Sequence, residues 1–292
     1  MSRTRLLLLF LLFSAFPTII FSQTTEDSIT IKQAVWHKKK VTGGVFAYWA
    51  SFDSLYGCRQ QIFVIEVKNR HRKFSVKTYN GRELTSIQAR TSGVAAAVNG
   101  TYFDMGGSNK SVCFVAHNGR VVDYVKSEQS LMNNGAVIFI GKKTQILPWD
   151  VNKEDSYMSE CGLDKLKADI MVSGPLLLLD GKAPHFDSVS HNMMKHPRSG
   201  IAKKGNRTYL FVVDGRHPER AGGVTIPEFS HLMRILGMQS ALNLDGGGSS
   251  ILWAEPNMMN SKEHSVLPTE AGILNKPSGS VERAVSNSIF VK

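Results

Sequence analysis

Leu242-Asn-Leu-Asp-Gly-Gly-Gly-Ser-Ser250 is a short apolar strand that ends in a carboxylate, three consecutive glycines and two hydroxyls. Each glycine costs about 1 kcal/mol of ordering relative to alanine where the chain is regular, so three in a row call for a bare backbone. One reading is an anion-holding loop in which Gly246, Gly247, Gly248, Ser249 and Ser250 present N–H and O–H donors to a phosphate or sugar oxygen. The other is an ordinary glycine turn between strands. No Gly-Lys-Ser/Thr follows, so a nucleotide P-loop is excluded.

Working outward, Thr225 with Glu228 forms a capping box, Pro227 lies in the first turn and Gly237 closes the far end. The apolar residues Ile226, Phe229, Leu232, Met233 and Leu236 share one face, which predicts a core helix leading into the strand Ala241–Leu244. Further upstream, Tyr209-Leu-Phe-Val-Val-Asp-Gly-Arg-His217 is a second apolar strand ending in a carboxylate, Asp214, with Arg216 beside it. Two strand-terminal aspartates suggest the paired carboxylates of glycoside hydrolysis, and arginines suit a phosphate through forked hydrogen bonds. Asn99-Gly-Thr-Tyr-Phe103 and Val172-Ser-Gly-Pro-Leu176 also follow apolar strands, and Arg198 opens another.

The rest of the chain reads as α+β, mostly antiparallel sheet with a few packed helices and a single catalytic domain. Hairpins are expected for Gln61–Val67 with Lys73–Tyr79, for Ser111–Ala116 with Arg120–Val125 across His117-Asn-Gly119, for Gly135–Ile140 with Thr144–Leu147, and for Arg198–Ala202 with Arg207–Val213. A first helix is expected over Leu84–Thr91. Residues 1–22, with Arg3 and Arg5 before the apolar run Leu6–Phe13, read as a secretory signal peptide without a stop-transfer segment. The mature protein is then exported, periplasmic or secreted, without a membrane span.

The formal charge of +11 falls to +9 when the two arginines of residues 1–22 leave. Nucleic acid is not the expected partner, because no helix-turn-helix, aromatic sheet motif or zinc knuckle accompanies the charge. An anionic small molecule or glycan accounts better for the excess. Cys58, Cys113 and Cys161 cannot form a disulfide framework and read as small buried hydrophobes. No metal site and no cofactor motif is visible, and neither a Gly-x-Ser-x-Gly elbow nor a His-Glu-x-x-His helix occurs.

Taken in order, Asn99–Phe103, Ser173-Gly-Pro175, Arg198–Ala202, Val213–Arg216, Gly223–Ile226, Ala241–Ser250 and Glu282–Ser288 resemble the phosphodiester glycosidase family. The resemblance spans about Val94 to the C-terminus. It divides the chain into a signal peptide (1–22), a divergent β-rich front region (23–90) and a catalytic domain (91–292). It implies cleavage between a sugar anomeric carbon and a phosphodiester oxygen; from their positions at strand ends, Asp245 is expected as nucleophile or base and Asp214 as its orienting or catalytic partner, with the two roles exchangeable. Asn99, Tyr102, Ser173, Gly174, Arg198, Arg216, Thr225, the Gly246–Ser250 loop and Arg283 are the expected substrate contacts. A non-catalytic saccharide-binding protein, or a phosphodiesterase cutting the phosphorus–oxygen bond, are the competing readings.

Overall fold

A computed structural model describes residues 24–122, 124–125, 130–160, 162–256, 272–279 and 281–292. The expected signal peptide and Cys161 lie outside the described residues. Six helices are found among them: α1 (Thr25–Gln33), α2 (Thr85–Thr91), α3 (Ser130–Asn133), α4 (Glu154–Ser159), α5 (Ser190–Met193) and α6 (Ile226–Ile235). None is long and apolar enough to cross a membrane.

Among the described residues, sixteen strands make three sheets. The largest joins β1 (His37–Thr42), β2 (Val45–Leu55), β3 (Cys58–Lys68), β13 (Arg207–Val213), β12 (Arg198–Lys204), β14 (Ser240–Asn243) and β11 (Leu176–Leu178) in that spatial order. The second joins β7 (Arg120–Val121), β6 (Val115–His117), β10 (Asp169–Ser173), β8 (Gly135–Ile140) and β9 (Lys143–Pro148). The third joins β15 (Leu252–Ala254), β5 (Ala96–Asn99), β16 (Val285–Val291) and β4 (Phe74–Glu83). All strand pairings are antiparallel, as the sequence predicts.

Period-two alternation explains how these sheets pack. Along β13, Leu210 and Val212 enter a core shared by all three sheets, while Tyr209, Phe211 and Val213 face the opposite way onto α6. Along β3, Phe63, Ile65 and Val67 face the shared core and Ile62 and Val64 face the helix side. Both faces are buried, so these strands read as continuous apolar runs rather than alternating ones. The capping box at Thr225 is formed, and Gly237 takes φ +80° where α6 ends.

Two of the four expected hairpins form over their expected strands, as β8/β9 and β12/β13, and the one about Asn118-Gly119 forms only as the short pair β6/β7, with Val115–His117 in place of Ser111–Ala116 and Arg120–Val121 in place of Arg120–Val125. At Asn118-Gly119 both residues have positive φ, which suits a two-residue turn. The Gln61–Val67 and Lys73–Tyr79 pairing does not form. β3 lies between β2 and β13 in one sheet, β4 pairs with β16 in another, and the link between them includes the 3-10 turn Asn69–His71. A polar link of hairpin length fits a sheet-to-sheet crossing equally well; β3 instead pairs with β13 over Arg207–Val213 and β4 with β16 over Val285–Val291.

Candidate active site

Antiparallel register brings the motifs together. Arg198, first in β12, pairs with Val213, last in β13, and Gly200 pairs with Asn243, last in β14. Pro197-Arg198, Asp214 and Asp245 therefore occupy one end of the large sheet. β11 begins there too, through Leu176 opposite Leu242, so Ser173–Pro175 arrives at the same end. β5 ends at Asn99 opposite Ser288, delivering Asn99–Tyr102 from the third sheet.

Backbone bonds lock these ends to one another. Asp245 N–H donates to the Gly100 carbonyl at 3.0 Å, Gly247 N–H to Pro197 at 2.8 Å, and Asn243 N–H to Pro175 at 3.1 Å. Asn99 Nδ2 donates to the Asp245 carbonyl at 2.7 Å, while its Oδ1 accepts from Ser199 Oγ and Ile251 N–H. Asn243 Nδ2 donates to Tyr102 Oη at 2.8 Å and to the Gly174 carbonyl at 2.9 Å, and Tyr102 O–H donates to that same carbonyl at 2.7 Å. Thr101 N–H and Gly100 N–H are held by Asn287 on β16.

At the centre is the Asp245 carboxyl. Burial raises its pKa from 3.8 to about 6, against the opposing pull of Ser249, Arg283, the Gly246 N–H and Arg216. Ser249 Oγ lies beside the carboxylate without completing a hydrogen bond of good geometry. Asp214 is placed differently. It is 1% exposed, and its oxygens accept from Arg220 Nη1 at 2.6 Å, Asn275 Nδ2 at 3.1 Å and Lys276 N–H at 3.1 Å. Burial pushes its pKa up and these donors pull it back. Asp214 thus fastens residues 275–276 to β13.

The three arginines also divide. Arg198 is 2% exposed and its Nε and Nη2 donate to the carbonyls of Val224, His191 and Met194. Burial lowers its pKa to about 10, which leaves it charged at neutral pH. Arg216 has φ +67° in the turn after Asp214-Gly215, and its guanidinium lies over Gly247, where a Cβ would come within 2.9 Å of Nη2. Arg283 lies over Gly248 in the same way, leaving no room for a Cβ. A Cβ at Gly246 would come within 2.7 Å of the Pro197 carbonyl oxygen, and Gly247 takes φ +60°, a conformation that favours glycine. Four of the loop's amides, those of Asp245, Gly247, Ser249 and Ser250, already donate to protein carbonyls. Most of the loop's backbone donors are therefore already used within the protein, which argues against an open backbone nest.

Several buried polar atoms around this end have no hydrogen-bond partner among the described residues: Ser173 Oγ, His196 Nδ1, Asn243 Oδ1, Ser249 Oγ and Ser250 Oγ. Thr225 Oγ1, by contrast, accepts from Glu228 N–H as a helix cap. His191, absent from the sequence expectations, places Nε2 3.3 Å from Tyr102 Oη, and burial followed by Arg198 lowers its pKa to about 4. Asn243 lay inside the quoted run, flanked by buried leucines, and was legible as an inward polar residue. Arg220, Asn275 and His191 carry no local pattern.

Against this geometry, the sequence model described as phosphodiester glycosidase matches residues 92–292, well over half the chain. The chain belongs to the phosphodiester glycosidase family. In three dimensions this family member is similar to the catalytic domain of zebrafish N-acetylglucosamine-1-phosphodiester α-N-acetylglucosaminidase, auto-inhibited by its pro-peptide. That likeness has TM-score 0.65 and 16% identity, and covers 88% of this chain and 87% of the other. A hypothetical protein from Synechocystis matches with TM-score 0.61 and 14% identity over 88% of this chain and 63% of that one. At such identities the likeness shows the fold. No curated protein matches this phosphodiester glycosidase family member in sequence.

Proposed function

We propose that this protein is an exported hydrolase that cleaves the C1–O bond of a glycosyl-1-phosphodiester, with Asp245 as the carboxylate acting at the anomeric carbon. Water supplies hydroxyl to C1, the bridging oxygen leaves with the phosphorus, and the products are a free sugar and a phosphomonoester. The observation that carries this reading is the Asp245 carboxyl, desolvated to a pKa of about 6 and facing two guanidinium groups that rest on its glycine loop. A carboxyl near the working pH suits acid–base or nucleophilic work. A phosphate leaving group needs less protonation than a sugar alkoxide, so Arg216 and Arg283 neutralising its developing charge replace part of a general acid. Arg198 and Asp214 act as positioning residues in this scheme, and Asn99, Tyr102, Ser173, Gly174 and Asn243 shape the sugar side.

The name of the zebrafish protein supports the bond type, which is all that is carried over; the sugar is not. Export rests on the charged and apolar start of the chain. Turnover of synthetic glycosyl-1-phosphodiesters in oxygen-18 water tests the reaction. Label in the sugar is expected; label in the phosphate would assign phosphorus–oxygen cleavage, and release of no sugar from any diester would leave a binding protein.

A further inference from the structure

At the opposite end of the large sheet from Asp245, β3, β12 and β13 close on a cup of 460 Å³ walled by Lys68, Arg70, Lys204, Asn206, Arg207 and Tyr209. Register explains the charge. Lys68 pairs with Arg207 and Arg207 with Lys204, so cations from three successive strands stand beside one another. Like charges directly opposite destabilise a sheet, and Arg70, Lys204 and Arg207 are exposed, so packing does not require them. The acid bonded to this group is Glu66, which accepts from Arg207 Nη1 at 3.0 Å and from Tyr48 O–H at 3.4 Å. Lys142 Nζ donates to the Arg70 carbonyl at 2.8 Å and adds another cation at the rim. Residual desolvation, then Arg70, Lys68, Lys142 and Arg72, hold the His71 imidazole below its ordinary range, which reports the positive potential there.

Next to the cup, and sharing Lys204 and Tyr209 with it, runs a trough of 270 Å³ walled by Trp36, Tyr48, Phe211, Leu236 and Met238, with Glu66 also at its wall, where Arg207 holds the carboxylate. We infer that cup and trough form a second binding site, for a phosphate-bearing saccharide, with the phosphate among the cations and a sugar ring against the aromatic wall. Guanidinium groups match phosphate oxygens in a planar fork. The cup's volume falls in the range of about 300–1,000 Å³ typical of small-molecule sites, and a concave site of that size suits a discrete group better than a flat anionic surface. β12 alone separates the two ends by roughly 20 Å at about 3.3 Å per residue, so a ligand here does not reach Asp245. The inference is independent of the catalytic reading.

The test titrates α-glucose 1-phosphate, glucose and octyl phosphate into the mature chain and into a Lys68→Gln, Arg70→Gln double variant, with hydrogen exchange locating the site. Glucose 1-phosphate should protect residues 203–209, and the double variant should bind it about tenfold more weakly or worse, since charge-assisted bonds are lost. Glucose should bind far less well, and release of sugar from a small phosphodiester should be unchanged by the double variant. If the double variant proves unstable, Arg70→Gln alone carries the test, because that side chain is exposed and its one hydrogen bond among the described residues is to exposed His71. Unchanged affinity in the variants, or protection confined to the Asp245 loop, overturns the site. Tighter binding of octyl phosphate overturns the saccharide and assigns an amphiphile. Absence of sugar release by the unsubstituted chain, with binding at residues 203–209 retained, would sink the catalytic reading and leave this one standing; loss of that release in the double variant alone would overturn the independence of the two sites.

Discussion

At the scale of one residue, Asp245 carries opposed demands. Desolvation disfavours its charge, whereas two arginines, the Gly246 N–H and Ser249 favour it, and desolvation wins by enough to reach about 6. The sign for stability follows. Above its ordinary 3.8 the unfolded chain carries this group ionised while the folded chain keeps it protonated until about 6, so folding becomes less favourable as pH rises through that window. Asp245→Asn removes the cost, and its unfolding midpoint at pH 7 should match or exceed wild type while kcat falls about a hundredfold or more. Wild-type kcat/KM should rise through about pH 6 if the carboxylate is nucleophile or base. A folded Asn variant with near wild-type turnover removes Asp245 from the mechanism, and a rate falling across that pH range makes it the acid.

At the scale of elements, the arginines behave differently because of where their strands end. Arg198 ties β12 to the carbonyls before and after it, at Val224, His191 and Met194, and so fixes the approach to α6 and the end of α5. Arg216 and Arg283 instead rest on the loop after β14. Arg198→Met should lower the unfolding midpoint markedly, because several buried carbonyls lose charged donors worth about 1.5–3 kcal/mol each before any compensation. Arg216→Met should change the unfolding free energy by no more than about 0.5 kcal/mol, as exposed substitutions do, yet slow a phosphodiester much more than a neutral aryl glycoside of the same sugar. Thermal unfolding beside kcat/KM on both substrates separates the outcomes, and equal slowing of both substrates by Arg216→Met would end its role at the phosphate. Helix α6 was legible to its caps, because Thr225, Glu228, Pro227 and Gly237 act within one turn of the chain. The failed pairing of β3 with β4 was not, since the link's polarity constrains the turn and leaves the partner open.

At the scale of the molecule, the front region is part of the same cores as the rest. Val45, Ala47, Phe63, Ile65 and Val67 from residues 37–68 pack with Leu210, Val212, Ile289 and Val291. Deleting residues up to 90 strips β3 from β13 and β4 from β16, exposing two sheet edges and the apolar face between them. A 91–292 fragment should therefore be aggregated or molten by circular dichroism and size exclusion, and a folded monomer would show that the family-matched part stands alone. Local chemistry in the sequence determined the antiparallel character, two hairpins and the turn of a third, α6, and the strand-end strings from Asn99 to Arg283, because turns, caps and alternation act over a few residues. Tertiary structure alone decided that Asp214 is closed off by Arg220 and Asn275, that Arg198 holds carbonyls, and that the glycines lie beneath Arg216 and Arg283. Those facts depend on which of three sheets each strand joins, and burial far along the chain, rather than any local pattern, makes that choice.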